Sequence, residues 1–371
     1  MTSVVILLIV LFLAFSNGAN DNFKGVATLF GSGTVNYKKA LTWATVTTFS
    51  GAILSIFLAE KLLKNFSGKG LIPDDLLTNP SFAGAVALGA ACTVFLATKI
   101  GMPISTTHAL TGALAGSGIL AAGSNFNFIK LSEKFFIPLI VSPVLALVIA
   151  LLSYLVFTFF RKKLKIDRKS CVCATRKPKI ALQTKSNNSV NAGTNIQLKA
   201  GHSDDCDASY SGKMFGFSAQ WLLNTLHYIS AGVVSFSRGL NDTPKIAGIL
   251  LLVGTIDSGF SLSSIAIVMA VGGVISAKKV AHTMSNKITS MNDGQGFTAN
   301  LATALLVSTA SIHGLPVSTT HVSVGSILGI GIANKKGNWK VIREVLLSWL
   351  LTLPIAAISA ALFYLLLNQI L

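Results

Sequence analysis

Long apolar stretches interrupted by short polar insertions set the pattern of this chain. The clearest apolar stretches cover 38–59, 135–160, 262–277 with its flanks, and 341–367. Each approaches or exceeds the roughly 20 helical residues that cross a hydrocarbon core. Four further stretches, 2–34, 82–122, 214–256 and 295–333, carry Gly, Pro, Asn and Asp inside apolar sequence. The first group predicts complete membrane-spanning helices. The second predicts helices that break or turn back, which is tolerated at membrane depth only where the backbone is buried in protein or lines a wet cavity. The apolar run 4–15 lacks a preceding basic region and leads straight into Asn20-Asp21, so it reads as a retained helix and not as a cleaved leader.

The polar insertions come in two kinds, and each occurs twice in the same order. Phe15-Ser-Asn-Gly18-Ala-Asn20-Asp21-Asn22-Phe-Lys24 returns as Phe236-Ser-Arg-Gly239-Leu-Asn241-Asp242-Thr243-Pro-Lys245, 221 positions on. Pro103-Ile-Ser105-Thr106-Thr107-His108 returns as Pro316-Val-Ser318-Thr319-Thr320-His321, 213 positions on. The second likeness extends past the motif: eight of the fifteen positions in 105–119 and 318–332 are identical, including Gly112/Gly325, Gly116/Gly329 and Gly118/Gly331. The chain therefore divides into a first transmembrane repeat (1–160), a hydrophilic connection (161–213) and a second transmembrane repeat (214–371). In each repeat a broken helix, a full span, two segments joined at the Pro-x-Ser-Thr-Thr-His turn and a long final span are expected. Only two to five residues join the paired segments, which suits a re-entrant hairpin that dips into the membrane and returns.

Composition agrees. Residues are 51% hydrophobic and only 12% charged, with a mean hydropathy of +0.66; soluble domains carry about 25% charged residues. The net charge of +17 invites a nucleic-acid partner, but its distribution excludes one. Residues 161–213 hold twelve Lys or Arg against four Asp, and short basic clusters such as Lys38-Lys39, Lys278-Lys279 and Lys335-Lys336 flank apolar runs. That is the signature of membrane-flanking loops, and it assigns 161–213 to the cytoplasmic side as a flexible, polar segment. Cys171, Cys173, Cys206 and His202 are a thin set for zinc, and Cys92 reads as a packing residue.

The hydroxyl motif suits an oxyanion. Pro ends the incoming segment and Ser caps the outgoing helix, whose first N–H groups lack internal partners and carry the positive end of the helix dipole. Ser105, Thr106, Thr107, Ser318, Thr319 and Thr320 would line two such tips; ordinary helix capping is the plainer alternative. Asp21 and Asp242 would repel an anion and are costly in a bilayer. They make sense if they bind Na⁺ or H⁺ together with Asn20 and Asn241, or accept the proton that phosphate still carries near neutral pH and sulfate lacks. Pairing with Lys24 and Lys245 three residues on is the structural alternative. His108 and His321 read as neutral, hydrogen-bonded hairpin residues before proton relays, and the small-residue pattern of the repeated glycines reads as close helix packing.

These four motifs, in this order and covering nearly all of the chain outside 161–213, resemble the inorganic phosphate transporter (PiT) family. The resemblance implies an all-α polytopic fold of two inverted-topology repeats with re-entrant hairpins, residence in the cell membrane as a multi-pass protein, a homodimer, and cation-coupled phosphate uptake. It puts Asp21 and Asp242 at the centre of the site. Asn20, Asn241, Thr107 and Thr320 join them around Na⁺, and Asn22 and Thr243 lie within reach of either ion. It leaves Gln220 and Asn224 as ligands of a peripheral Na⁺. Arg238, where a His is more usual, and Asn22-Phe23-Lys24, where a Val-Ala-Asn-like run is more usual, depart from the pattern. The reading is a secondary transporter that couples phosphate to Na⁺ by alternating access, with no cofactor beyond the transported ion. Proton-coupled phosphate or sulfate permeation is the runner-up. An intramembrane hydrolase with an Asp21/Asp242 dyad and an anion channel are rivals of other classes.

Overall fold

The structure is a computed structural model that describes residues 2–166, 170–178, 194–202, 215–250 and 258–370. Among the described residues ten long helices carry the fold: α1 (Thr2–Asp21), α2 (Tyr37–Leu58), α3 (Pro80–Ile100), α4 (Thr106–Ala122), α5 (Ile137–Lys163), α6 (Ala219–Leu250), α7 (Ser258–Ser276), α8 (Asp293–Ile312), α9 (Thr319–Ala333) and α10 (Trp339–Ile370). The first five and the last five repeat one plan. Among the described residues six helical stretches are long and apolar enough to cross a membrane: Thr2–Gly31, Tyr37–Leu58, Pro80–Ile100, Phe128–Lys163, Gly259–Ser276 and Trp339–Ile370. Their outward faces are aliphatic, as at Ile140, Leu350 and Ile358, while Asn, Asp, Lys and Arg side chains are buried inside. This inversion of the soluble pattern fits a lipid solvent.

The two copies of the acidic motif differ in backbone. α1 stops at Asp21 and restarts through a 3₁₀ turn at Lys24–Val26 and a short helix at Ala27–Gly31. The second copy was expected to break in the same way. Instead α6 runs unbroken through Asn241-Asp242, with Pro244 inside it. Proline removes one backbone bond from a helix without ending it when neighbouring helices support the turn.

Both hydroxyl motifs form the expected helix–turn–helix. α3 ends at Gly101 (φ 78°) and α8 is followed by Gly314 (φ 75°), left-handed positions at which glycine is unstrained. Ser105 and Ser318 then cap α4 and α9, each hydroxyl accepting the N–H of the histidine three residues on at 3.1 Å.

The repeats interleave. α1 packs on α7, α4 packs on α10, and α3 packs on both α1 and α10. Gly18 on α1 lies against the Met269 backbone of α7, and its counterpart Gly239 on α6 lies against the Thr48 backbone of α2. Gly116 on α4 meets Ala357 of α10, and Gly329 on α9 meets Leu147 of α5. Each half thus lays its site-bearing helices on the spans of the other, as the small-residue pattern predicts. The result is one compact unit, Met1–Leu155 with His227–Leu371.

A second unit spans Val156–Leu226. Its described residues include a three-stranded antiparallel sheet in the order β2-β1-β3, from β1 (Ser170–Pro178), β2 (Thr194–His202) and β3 (Phe215–Ser218). Ser170 stands opposite His202, and Cys171 opposite Ser218. The strands hold β-branched residues, such as Val172, Thr175 and Ile196, that average composition concealed. Cys206, a member of the zinc set, lies outside the described residues. Among the described residues no group of three His, Cys, Asp or Glu is placed to hold a metal.

A Cβ at Gly239 or Gly18 would fall inside the backbone of the neighbouring helix. Gly18→Ala and Gly239→Ala should therefore each destabilise the protein by about 1–3 kcal/mol. A thermal melt of the detergent-solubilised protein checks this; an unchanged Tm in both variants contradicts the packing.

Candidate functional site

The acidic motifs and the hydroxyl tips meet at one buried centre. Asp21 and Asp242 are 1% and 2% exposed, and Lys24, Arg238 and Lys245 beside them are equally covered. Asn17 joins the two acids: its amide lies 3.2 Å from Asp21 Oδ2, 3.4 Å from Asp242 Oδ2 and 3.0 Å from Thr106 Oγ1. Thr106 also donates to Asp21 Oδ2 at 3.2 Å. Asn241 donates to Asp242 Oδ1 at 3.0 Å. Both carboxylates are thus occupied by donors from the protein.

The lysines tie the acids to the tips with near two-fold symmetry. Lys24 Nζ lies 2.5 Å from Asp21 Oδ1, 2.9 Å from Asn20 Oδ1, 2.7 Å from the Ile104 carbonyl and 2.5 Å from Thr320 Oγ1. Lys245 Nζ lies 3.5 Å from Asp242 Oδ1, 2.6 Å from the Val317 carbonyl and 2.7 Å from Thr107 Oγ1. Ile104 and Val317 hold equivalent places in the two tips, as do Thr107 and Thr320. Each lysine therefore binds its own acid, a carbonyl of its own repeat's tip and a hydroxyl of the other. The lysine–acid pairing weighed from the sequence is present, and it is part of a larger oxygen shell.

The tips touch each other. Thr107 donates to the Val317 carbonyl at 3.2 Å, and Thr320 donates to the Ile104 carbonyl at 2.8 Å. The His108 and His321 rings stand 4.1 Å apart, and His321 stacks on Trp349 at 3.7 Å. His108 Nδ1 contacts the Ser105 hydroxyl at 3.2 Å, in line with a hydrogen-bonded hairpin histidine, whereas His321 Nε2 is buried without a hydrogen-bond partner. Ser105 and Ser318 use their hydroxyls as helix caps, the plainer of their two expected roles. Thr319 sits buried in the first turn of α9.

The remaining expected residues fall at varying distance. Asn20 also donates to Thr98 and to the Met102 carbonyl, fixing α1 to the first tip, while Asn241 donates to Val317 O and accepts from Ser311. Asn22 faces Arg238 (3.2 Å) and Thr45 (2.8 Å), and Thr243 points to the Met269 sulfur at 3.6 Å. Gln220 and Asn224 bond each other at 2.7 Å, several turns before Asn241 in α6.

Two residues of the centre were missed. Asn17 and Arg238 precede the acids by four residues, hold equivalent repeat positions and bond each other, Arg238 Nη2 to Asn17 Oδ1 at 2.6 Å. Arg238 Nε also lies 3.5 Å from Asp242 Oδ2. Helical spacing was the available signal, since positions i and i+4 share a face. Beside the second tip a cleft of about 360 Å³ is lined by Lys61, Lys64, Lys134, His313 and Pro316, with Glu133 among them.

The sequence profile of the phosphate transporter family matches residues 17–360. The chain belongs to the phosphate transporter family. A protein of Thermococcus kodakarensis described as a phosphate permease is 30% identical over 95% of this chain and 94% of its own length. A Bacillus subtilis protein described as a low-affinity inorganic phosphate transporter is 29% identical over 98% of this chain and 97% of its own. A solved structure titled "The sodium-dependent phosphate transporter" covers 100% of both chains at a TM-score of 0.76 and 23% identity, and it supports the fold. The chain is thus a helical, multi-span membrane protein and a phosphate transporter, not an enzyme.

Ser318→Ala removes the cap of α9 and should cost about 1 kcal/mol. Chemical unfolding in detergent would reveal it as a lower midpoint at constant slope; an unchanged midpoint would contradict the capping role.

Proposed function

We propose that the transporter carries inorganic phosphate by alternating access around the centre where the two Ser-Thr-Thr tips meet. The observation that carries this reading is the convergence of two helix N-termini, two ammonium groups and a guanidinium on one buried point of a membrane protein. Helix N-termini and cationic donors are the chemistry that holds an oxyanion. Phosphate would take over lysine donors now spent on tip carbonyls and hydroxyls, and the N–H groups that open α4 and α9. The basic cleft at Lys61, Lys64 and Lys134 suits electrostatic gathering of anions near the second tip.

In this reading the halves are inverted repeats whose tips lie at membrane depth as re-entrant hairpins. α4 and α9, at 17 and 15 residues, fall short of the roughly 20 needed for a crossing. Rocking of one set of interleaved helices against the other would open the centre to each side in turn. The coupling ion is the finer question. The sequence pointed to Na⁺, and one solved relative is titled sodium-dependent. Against this, most of the side-chain oxygens expected around Na⁺ here surround lysine ammonium groups, which favours the proton-coupled alternative.

Asp21→Asn and Asp242→Asn should each lower phosphate uptake into proteoliposomes by at least about tenfold, a loss of some 1.4 kcal/mol or more in the transport barrier. Full uptake in both variants would sink the assignment of this centre.

A further inference from the structure

We infer that Lys24 and Lys245 are built-in cations standing in the coupling-ion positions, so that this chain binds and moves phosphate without Na⁺. The inference rests on the preceding phosphate-transport reading.

Lys24 Nζ has three N–H donors, yet four oxygens lie within 2.9 Å of it. They are a carboxylate, a side-chain amide, a backbone carbonyl and a hydroxyl, the hard-oxygen mixture that suits a small cation. They also come from three separate pieces of chain: α1, the first tip and the second tip. Lys245 keeps part of this arrangement, with the Val317 carbonyl at 2.6 Å, the Thr107 hydroxyl at 2.7 Å and the Asp242 carboxylate at 3.5 Å. A free ion placed at either point would share its oxygens with a tethered ammonium, and like charges at that separation repel strongly in a buried site.

Charge balance leads to the same conclusion. Asp21 and Asp242 supply two negative charges; Lys24, Lys245 and Arg238 supply three positive ones. With the histidines neutral, the buried cluster carries one net positive charge. A singly charged phosphate neutralises it with no further cation. Two acids and an anion need added positive charge, and the three basic side chains supply it.

The test compares the purified, reconstituted protein in sodium, potassium and choline chloride at equal ionic strength and pH. Initial ³²P-phosphate uptake should agree within about twofold among the salts, and a fall of about tenfold on removing Na⁺ overturns the inference. The Tm of the wild-type protein should likewise be equal in NaCl and KCl; a rise specific to Na⁺ overturns it, because a ligand that binds only the folded state raises Tm. Absence of phosphate uptake in every salt would instead count against the transport reading, and the melting comparison would still decide the inference. Lys24→Ala vacates one position, so its Tm and its uptake should become Na⁺-stimulated. A Lys24→Ala variant that is equally impaired in all salts makes the lysine a structural partner only and overturns the assignment. If that variant does not fold, the wild-type salt comparison stands alone.

Discussion

Two ammonium groups and a guanidinium buried inside a membrane protein are tolerable only if oxygens meet them, and that requirement organises this fold. Isolated charges at such depth are expensive, and breaking one partner from a buried pair costs more than the pair contributes. The chain meets the requirement by bringing four elements to one point. α1 and α6 supply the acids, the tips before α4 and α9 supply carbonyls, and the first turns of α4 and α9 supply hydroxyls. Because Lys24 binds Thr320 and Lys245 binds Thr107, neither repeat can satisfy its own lysine alone. The polar centre and the interleaving of the halves are one constraint seen at two scales.

The close helix contacts follow from it. For Lys24 and Lys245 to reach both tips, α1 and α6 must lie against the other repeat's second span, and α4 and α9 must lie against the other repeat's last span. Glycines stand at those crossings, at Gly18, Gly239, Gly116 and Gly329, where a side chain would meet backbone. In lipid there is no hydrophobic gain from helix association, so close contact and polar bonds must hold the helices together. The same contacts that hold the charges also position the helix N-termini that face the centre.

Much of this was legible in the sequence, because repeated motifs report on both repeats at once. The doubled Ser-Thr-Thr-His gave the caps at Ser105 and Ser318 and the meeting of two tips. What the sequence did not carry is tertiary reach. Lys24 and Lys245 read as partners of acids three residues away; that each also crosses to the opposite tip depends on how closely Ile104 and Val317 approach. Arg238 was noticed as a departure from a family pattern, but its contact with Asn17 requires α1 and α6 to lie side by side. Local chemistry misled at Pro244, which suggested a break where helix packing sustains α6.

The charge of the centre comes from a difference between its two repeats. Asn20/Asn241, Asp21/Asp242, Lys24/Lys245 and Thr107/Thr320 repeat in residue type, and alone they sum to zero charge. A neutral, self-satisfied cage has little reason to take up an anion. Asn17 and Arg238 occupy equivalent positions with different side chains, and this single exchange gives the cage its surplus positive charge. Arg238 is also the least satisfied of the buried cations: its Nε makes no hydrogen bond, with Asp242 Oδ2 3.5 Å away. A buried donor without an acceptor is costly unless something else supplies one. The repeated residues thus describe how the cage holds itself closed, and the Asn17/Arg238 exchange describes why an oxyanion would open it.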